Sequence, residues 1–328
     1  MKKTDTHVHC IGDHPDCIAL LDQLDLKLLN VCVVHDTSGQ WRVQAEQYRR
    51  LAETYPGHYA WCTSFDLPDL AGEGANAGYA ERAIAELERD FAAGAIGCKI
   101  WKNVGMALRK PSGAFLMVDD PLFDPIYDYL ARVGQPLLMH IGEPLACWQP
   151  LRKDAPHSGY YSQHPEWHMY GKPGYPSHQE IIDARDRVLA RHPDLRAVGA
   201  HLGSLEYDVA EIARRLDRYP NFAVDTSARL IDLAGQDPAH VRAFFVTYQD
   251  RILFGTDIVH RQPFSALPPS ERQDKLLFIQ DRYREQFAYF ESGQKVTLRG
   301  REVQGLGLPQ EVLEKLYAAN ASRWYPGL

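Results

Sequence analysis

Two hydrophobic periods alternate along the chain. Short apolar and β-branched runs recur from one end to the other: "TDTHVH", "LLNVCVVHD", "HYAWCTSFD", "AIGCKIWK", "QPLLMHIG", "LRAVGAHLG", "NFAVDTSA" and "RILFGTDIV". Between them apolar residues return at steps of three and four. Ile84, Leu87 and Phe91 do so in "YAERAIAELERDF", and Leu205, Val209, Ile212 and Leu216 in "SLEYDVAEIARRLDRY". The first period belongs to strands, the second to amphipathic helices. "SHQEIIDARDRVLARH" opens with Ser177 and Glu180 in capping-box spacing, and Pro or Gly ends helices in "RHPD", "RYPN" and "TYPG". Strand followed by helix, eight times over, predicts an α/β fold with a parallel sheet closed into a (β/α)8 TIM barrel. An open doubly wound sheet would bring a G-x-G-x-x-G turn after an early strand, and the chain has none. No linker or low-complexity stretch interrupts the pattern, so residues 1–328 read as one domain. Two connections are long, Glu143 to Pro176 and His260 to Pro309, and both are expected to be functional lids.

Composition narrows the class further. With 45% hydrophobic and 24% charged residues, the balance is that of a soluble globular protein. A formal net charge of -7 argues against a sequence-independent grip on nucleic acid. No apolar run is long enough for a membrane span. Met1-Lys2-Lys3 is followed by "TDTHVH" and not by the apolar core of a signal peptide. The cytoplasm is the expected compartment, with a leader removed in the native gene left open. The expected partners are a small-molecule substrate and a second copy of the chain in a homodimer. Cys10, Cys17, Cys32, Cys62, Cys98 and Cys147 form no C-x-x-C pair and read as small buried hydrophobes.

The chemistry sits at strand ends. In "TDTHVH" Asp5, His7 and His9 alternate, so on a strand they share one face. That crowding suits a metal better than a core. Lys99, His140, His201, Asp257 and the trio Asp225, Ser227 and Arg229 end other strands, in runs otherwise apolar. Buried ionisable groups need each other or a metal. Four histidines and an aspartate at one barrel mouth suit Zn²⁺ or another borderline divalent ion, with room left for water. Alternation in "AIGCKIWK" puts Gly97, Lys99 and Trp101 on one face and Cys98, Ile100 and Lys102 on the other. An inward Lys99 needs an anion: Asp257, Glu143, its own carbamate or a substrate carboxylate. Residues 144–176, rich in Trp, Tyr, His and Pro, read as an aromatic cover over a small planar or ring-containing substrate, with Trp148 as a contact. Lys102, Arg152, Lys153 and Arg229 are the basic candidates for gripping an anion.

D-T-H-V-H, H-I-G, G-A-H-L-G-S and G-T-D, in that order, resemble the amidohydrolase superfamily. More narrowly, the chain is similar to the amidohydrolase-related (amidohydrolase 2) branch that holds aminocarboxymuconate-semialdehyde decarboxylase, resorcylate decarboxylases and lactonases. The likeness extends to the tail "GLGLPQEVLEKLYAANASRWYP". It implies His7, His9, His140 and Asp257 as metal ligands, and His201 and Asp257 as the catalytic acid–base pair. It implies one divalent ion, Zn²⁺ ahead of Mn²⁺, and places a second ion on a carbamylated Lys99 behind that. Lys99, Lys102, Arg229 and Trp148 are then the substrate-binding set. The expected activity is hydrolysis of a small carboxylate-bearing lactone, amide or ester through a metal-activated water. The alternative is non-oxidative decarboxylation or hydration of an unsaturated or aromatic acid, with His201 protonating carbon. A silent metal-binding scaffold would be expected to have lost a ligand, and none is missing.

Overall fold

The computed structural model describes residues 2–70, 76–152 and 157–328. Parallel strands follow one another round a barrel in chain order: β1 (Lys3–Cys10), β2 (Leu26–Val31), β3 (Tyr59–Cys62), β4 (Cys98–Ile100), β5 (Leu137–Met139), β6 (Ala197–Gly199), β7 (Phe222–Asp225) and β8 (Ile252–Leu253). Continuous ladders join β1 to β3 and β4 to β8. Two seams close the ring. Thr63 bridges to Cys98 between β3 and β4, and the Thr6 amide donates to Phe254 O at 2.9 Å between β1 and β8. A short β9 (Ile258–His260) then pairs with the end of β1, setting His9 opposite Val259.

Helices pack outside the strands: α1 (Pro15–Leu24), α2 (Trp41–Thr54), α3 (Tyr79–Ala92), α4 (Asp124–Val133), α5 (His178–Arg191), α6 (Val209–Arg218) and α7 (Pro238–Thr247). Each turns an apolar stripe inward, Tyr79, Ala83 and Leu87 on α3 and Val209, Ile212 and Leu216 on α6. The capping box forms as its spacing predicts, Ser177 accepting from Glu180 N and Glu180 from Ser177 N. A smaller core fills the barrel itself, with Leu29, Val31, Leu138, Val198 and Leu253 sealed by Trp324 and Tyr325. The opposite mouth, at the strand C-termini, is left for polar groups.

The two long connections differ. In the described parts of the first, Leu145–Trp148, Ser158–Gln163 and Pro165–Trp167 form short helical turns over the mouth. The stretch from His260 to Pro309 is not an irregular lid: it folds into a 23-residue helix, α8 (Pro269–Glu291), and an antiparallel hairpin, β10 (Lys295–Leu298) with β11 (Arg301–Gln304). Leu276, Ile279, Tyr283, Phe287 and Phe290 return at helical spacing and bury one face of α8. All six cysteines are buried and unpaired. Among the described residues, no helix is long and apolar enough to cross a membrane.

Candidate metal centre

Alternation along β1 sends His7 and His9 into the mouth, both essentially buried. Asp257 reaches them from the loop between β8 and β9, where its backbone is left-handed (φ 57°) and its amide donates to His7 O at 2.8 Å. Asp257 Oδ1 lies 3.9 Å from His7 Nε2 and 3.6 Å from His9 Nε2. The donor atoms of these three residues fall within 4.8 Å of one another. Ligand atoms about 2.1 Å from a tetrahedral zinc stand about 3.4 Å apart, so the trio needs little movement to hold one. Burial holds all the mouth imidazoles (His7, His9, His140 and His201) well below the usual histidine range. They are therefore neutral, the form a metal requires. Loss of solvent pushes Asp257 up to about 6, against the pull of Lys99 and Arg229.

Hydrogen bonds set the tautomers. His7 Nδ1 lies 2.9 Å from Asp225 Oδ2, which makes it the donor and leaves the Nε2 lone pair as an acceptor, facing Lys99 Nζ, which an ion would have to displace. His140 stands outside the tight trio, its Nδ1 3.3 Å from His201 Nε2. Its buried Nε2 has no hydrogen-bond partner among the described residues. A buried nitrogen left that way is uncommon, and a fourth bond to an ion would satisfy it. The residues present thus fit a divalent ion.

His201 occupies an unusual backbone. It and Leu202, Gly203 and Ser204 all have φ between 58° and 64°, one turn of left-handed helix. For residues with a Cβ this costs about 1–2 kcal/mol each, so the surroundings must hold it. They do: Arg185 Nη1 donates to Gly203 O at 2.6 Å, His178 Nε2 to Ser204 O at 2.7 Å, and His201 N to Asp225 Oδ1 at 2.9 Å. A Cβ on Gly203 would come within 2.9 Å of that guanidinium. His201 Nδ1 faces Ser227 O at 2.9 Å, so it carries the hydrogen and Nε2 is left as the base.

His9 and Asp257, with His140 and His201, line a cleft of about 670 Å³, while His7 is fully buried and does not reach its surface. Trp101, Trp167 and Tyr160 form aromatic walls; Lys99, Lys102 and Arg261 are the cleft's basic side chains, and Asp257 and Glu166 its acidic ones. Lys99 is buried, its Nζ 3.0 Å from His7 Nε2, and burial draws it down to about 8 against the attraction of Asp257. Glu143 does not serve Lys99. It pairs with buried Lys102, and the Tyr161 hydroxyl donates to it at 3.1 Å. The Lys102 ammonium also reaches Tyr160 Oη at 3.0 Å and lies 4.3 Å from the Trp167 ring centroid. Strand alternation put Lys102 outside, but β4 ends at Ile100, and beyond it that rule lapses.

Other expected residues fall elsewhere. Trp148 does not line the cleft: its Nε1 donates to Pro176 O and its ring packs on His178, fixing the base of the cover. Arg229 is buried behind the wall, with Nη1 on Ala228 O and Nε without a partner. Arg152 is exposed and does not line the cleft, and Lys153 lies outside the described residues. Reading strand ends misses Trp101 as an aromatic wall, leaves Trp167 and Tyr160 unnamed within the 144–176 aromatic cover, and misses Arg261 altogether. For the first three, their aromatic type beside ionisable residues was the available signal.

A family model described as amidohydrolase matches residues 26–327. A comparison with curated proteins found no match. Among solved structures, 4-oxalomesaconate hydratase from Rhodopseudomonas palustris has a TM-score of 0.52 at 12% identity, over 99% of this chain and 96% of that one. An amidohydrolase from Burkholderia multivorans with bound zinc gives 0.51 at 14%, over 99% of each chain. The 5-carboxyvanillate decarboxylase of Novosphingobium aromaticivorans, complexed with manganese and a nitrobenzoic acid, gives 0.50 at 15%, over 95% of this chain and 80% of that one. At such identities the likeness is one of fold.

Proposed function

Since the chain belongs to the amidohydrolase 2 family of metal-dependent enzymes, we propose that it hydrolyses a small carboxylate-bearing lactone, amide or ester. The observation that carries this reading is the convergence of His7, His9 and Asp257 at a cleft that has aromatic walls and the basic side chains Lys99, Lys102 and Arg261. In this reading His7, His9, Asp257 and His140 hold one divalent ion, zinc ahead of manganese. Such an ion, when bound, lowers the pKa of water from 15.7 towards about 7 and polarises a carbonyl oxygen. The remaining work falls to the chain. Lys99 and Lys102 draw the substrate carboxylate in, and the Trp101 and Trp167 rings hold a planar body and exclude bulk water. Asp257 accepts the proton of the attacking water at its free oxygen. His201, with Nδ1 tied to Ser227 O, holds or returns a proton at Nε2.

The second reading is decarboxylation or hydration of an unsaturated or aromatic acid, with His201 Nε2 taking a proton from water or substrate and passing it to carbon. The same aromatic-walled cleft with its basic side chains supports it, and the hydratase and decarboxylase neighbours carry those activities themselves. The test is a panel assay of zinc-loaded protein, before and after stripping with dipicolinate. Dihydrocoumarin and carboxylated nitrophenyl esters report ring opening or ester cleavage, and 2,6-dihydroxybenzoate reports CO2 release. Zinc-restored hydrolysis is expected. CO2 release without hydrolysis would select the second reading, and activity indifferent to stripping would refute both.

A further inference from the structure

Asp5 shares the face of His7 and His9 in "DTHVH", yet it is no ligand: it is fully buried one pleat below them. Its carboxylate accepts four hydrogen bonds. Oδ1 takes the His7 amide and the Thr256 amide, each at 3.1 Å. Oδ2 takes the Thr256 hydroxyl at 2.5 Å and the Tyr283 hydroxyl at 2.8 Å. His7 and Asp257, the neighbour of Thr256, belong to the metal trio. The two ligands come from opposite ends of the chain, and their loops meet where the barrel closes. Thr256 Oγ1 extends the clamp by accepting from the Ile258 amide at 3.2 Å, just past Asp257. Tyr283 anchors it to the buried face of α8.

We infer that Asp5 is a positioning residue for the metal centre: it fixes the backbone on either side of the β1–β8 seam so that His7 and Asp257 stand at bonding separation before an ion arrives. This rests on the proposed metal site and extends it one layer outward. The physical reason is preorganisation. Asp257 holds a left-handed φ of 57°, a conformation that aspartate tolerates better than most side chains but that the flanking hydrogen bonds must still select. A carboxylate spanning two backbone amides removes the freedom that binding would otherwise have to quench. Two oxygens that each accept twice match four converging donors, whereas alanine or asparagine in their place leaves at least one of them unmet.

The test measures zinc affinity by chelator competition, together with the visible spectrum of the cobalt-substituted protein. Outer partners of metal sites typically carry about 10–100-fold in affinity. Asp5→Ala is expected to weaken zinc binding by about that factor. Asp5→Asn, which keeps the acceptor facing the two amides, should lose less. Tyr283→Phe should lose least, since only one of the four donors is removed. Leu87→Ala on α3, a buried change far from the seam, should lower Tm and leave affinity alone. Should Asp5→Ala fail to fold, the Asn and Phe variants still rank the effect. Wild-type affinity in both Asp5→Asn and Tyr283→Phe, or a loss in Leu87→Ala matching theirs, would overturn the inference while the metal reading stands. Wild-type protein that binds no zinc would instead bring down the metal reading, and the inference with it.

Discussion

Replacing His201 by Asn separates proton transfer from metal binding. Asn is among the few residues that tolerate a left-handed backbone, so the φ of 58° can persist. Its amide can donate to Ser227 O where Nδ1 now does, across 2.9 Å. What disappears is Nε2, the nitrogen that faces His140 Nδ1 at 3.3 Å. A buried donor on His140 then loses its acceptor, at a cost of about 1–3 kcal/mol in stability, a few degrees in Tm for a chain of this size. A general acid–base group contributes about 10²–10⁴-fold in rate, which is about 3–5 kcal/mol of barrier. The variant should therefore fold, carry the same metal as wild type, and lose turnover by about that factor. The assay pairs elemental analysis of the purified protein with kcat on whichever panel substrate the wild type turns over. A metal-free variant would make His201 a ligand and refute the assignment. Full turnover with metal retained would show that the proton passes through Asp257 alone.

Two further outcomes follow from buried charges. Lys99→Met should leave one equivalent of metal in place while raising KM for carboxylate-bearing substrates about tenfold or more, since a hydrogen bond to a charged group is worth about 1.5–3 kcal/mol. Loss of a metal equivalent that added zinc does not restore would sink the single-ion reading. Glu206, whose Oε1 accepts from Leu145 N while Oε2 has no hydrogen-bond partner among the described residues, is pushed by burial up to about 7. Its folded pKa lies above the unfolded value, so the protonated form favours folding and stability drains away as pH rises from about 4.5 to 7. The gap corresponds to about 3 kcal/mol at most. Glu206→Gln should raise Tm at pH 8 and barely change it near pH 4.5. An equal gain at both would show that charge is not the cause.

Periodicity alone disclosed the barrel, because strand and helix rows repeat local patterns that need no distant partner to be recognised. The alternation in "TDTHVH" likewise placed His7 and His9 on one face, where the structure has them. The capping box at Ser177 and Glu180 is local in the same way. Local rules stopped at strand ends. Lys102 lies two residues past β4, where the chain turns inward and pairs with Glu143. Trp148, marked by its aromatic type, packs beneath the cover and not in the cleft, while Trp101, Trp167 and Arg261 line it. Which aromatic faces a cavity depends on how the 143–176 connection folds back, and no periodic pattern encodes that. The left-handed turn at His201 exists only because Arg185, His178 and Asp225 arrive from α5 and β7 to hold it. Asp5 meets Thr256 and Tyr283 across more than two hundred residues of chain. The kinds of chemistry were written along the sequence, but bond-length placement came only when the barrel closed, since contacts between chain ends cost entropy that the whole fold must offset.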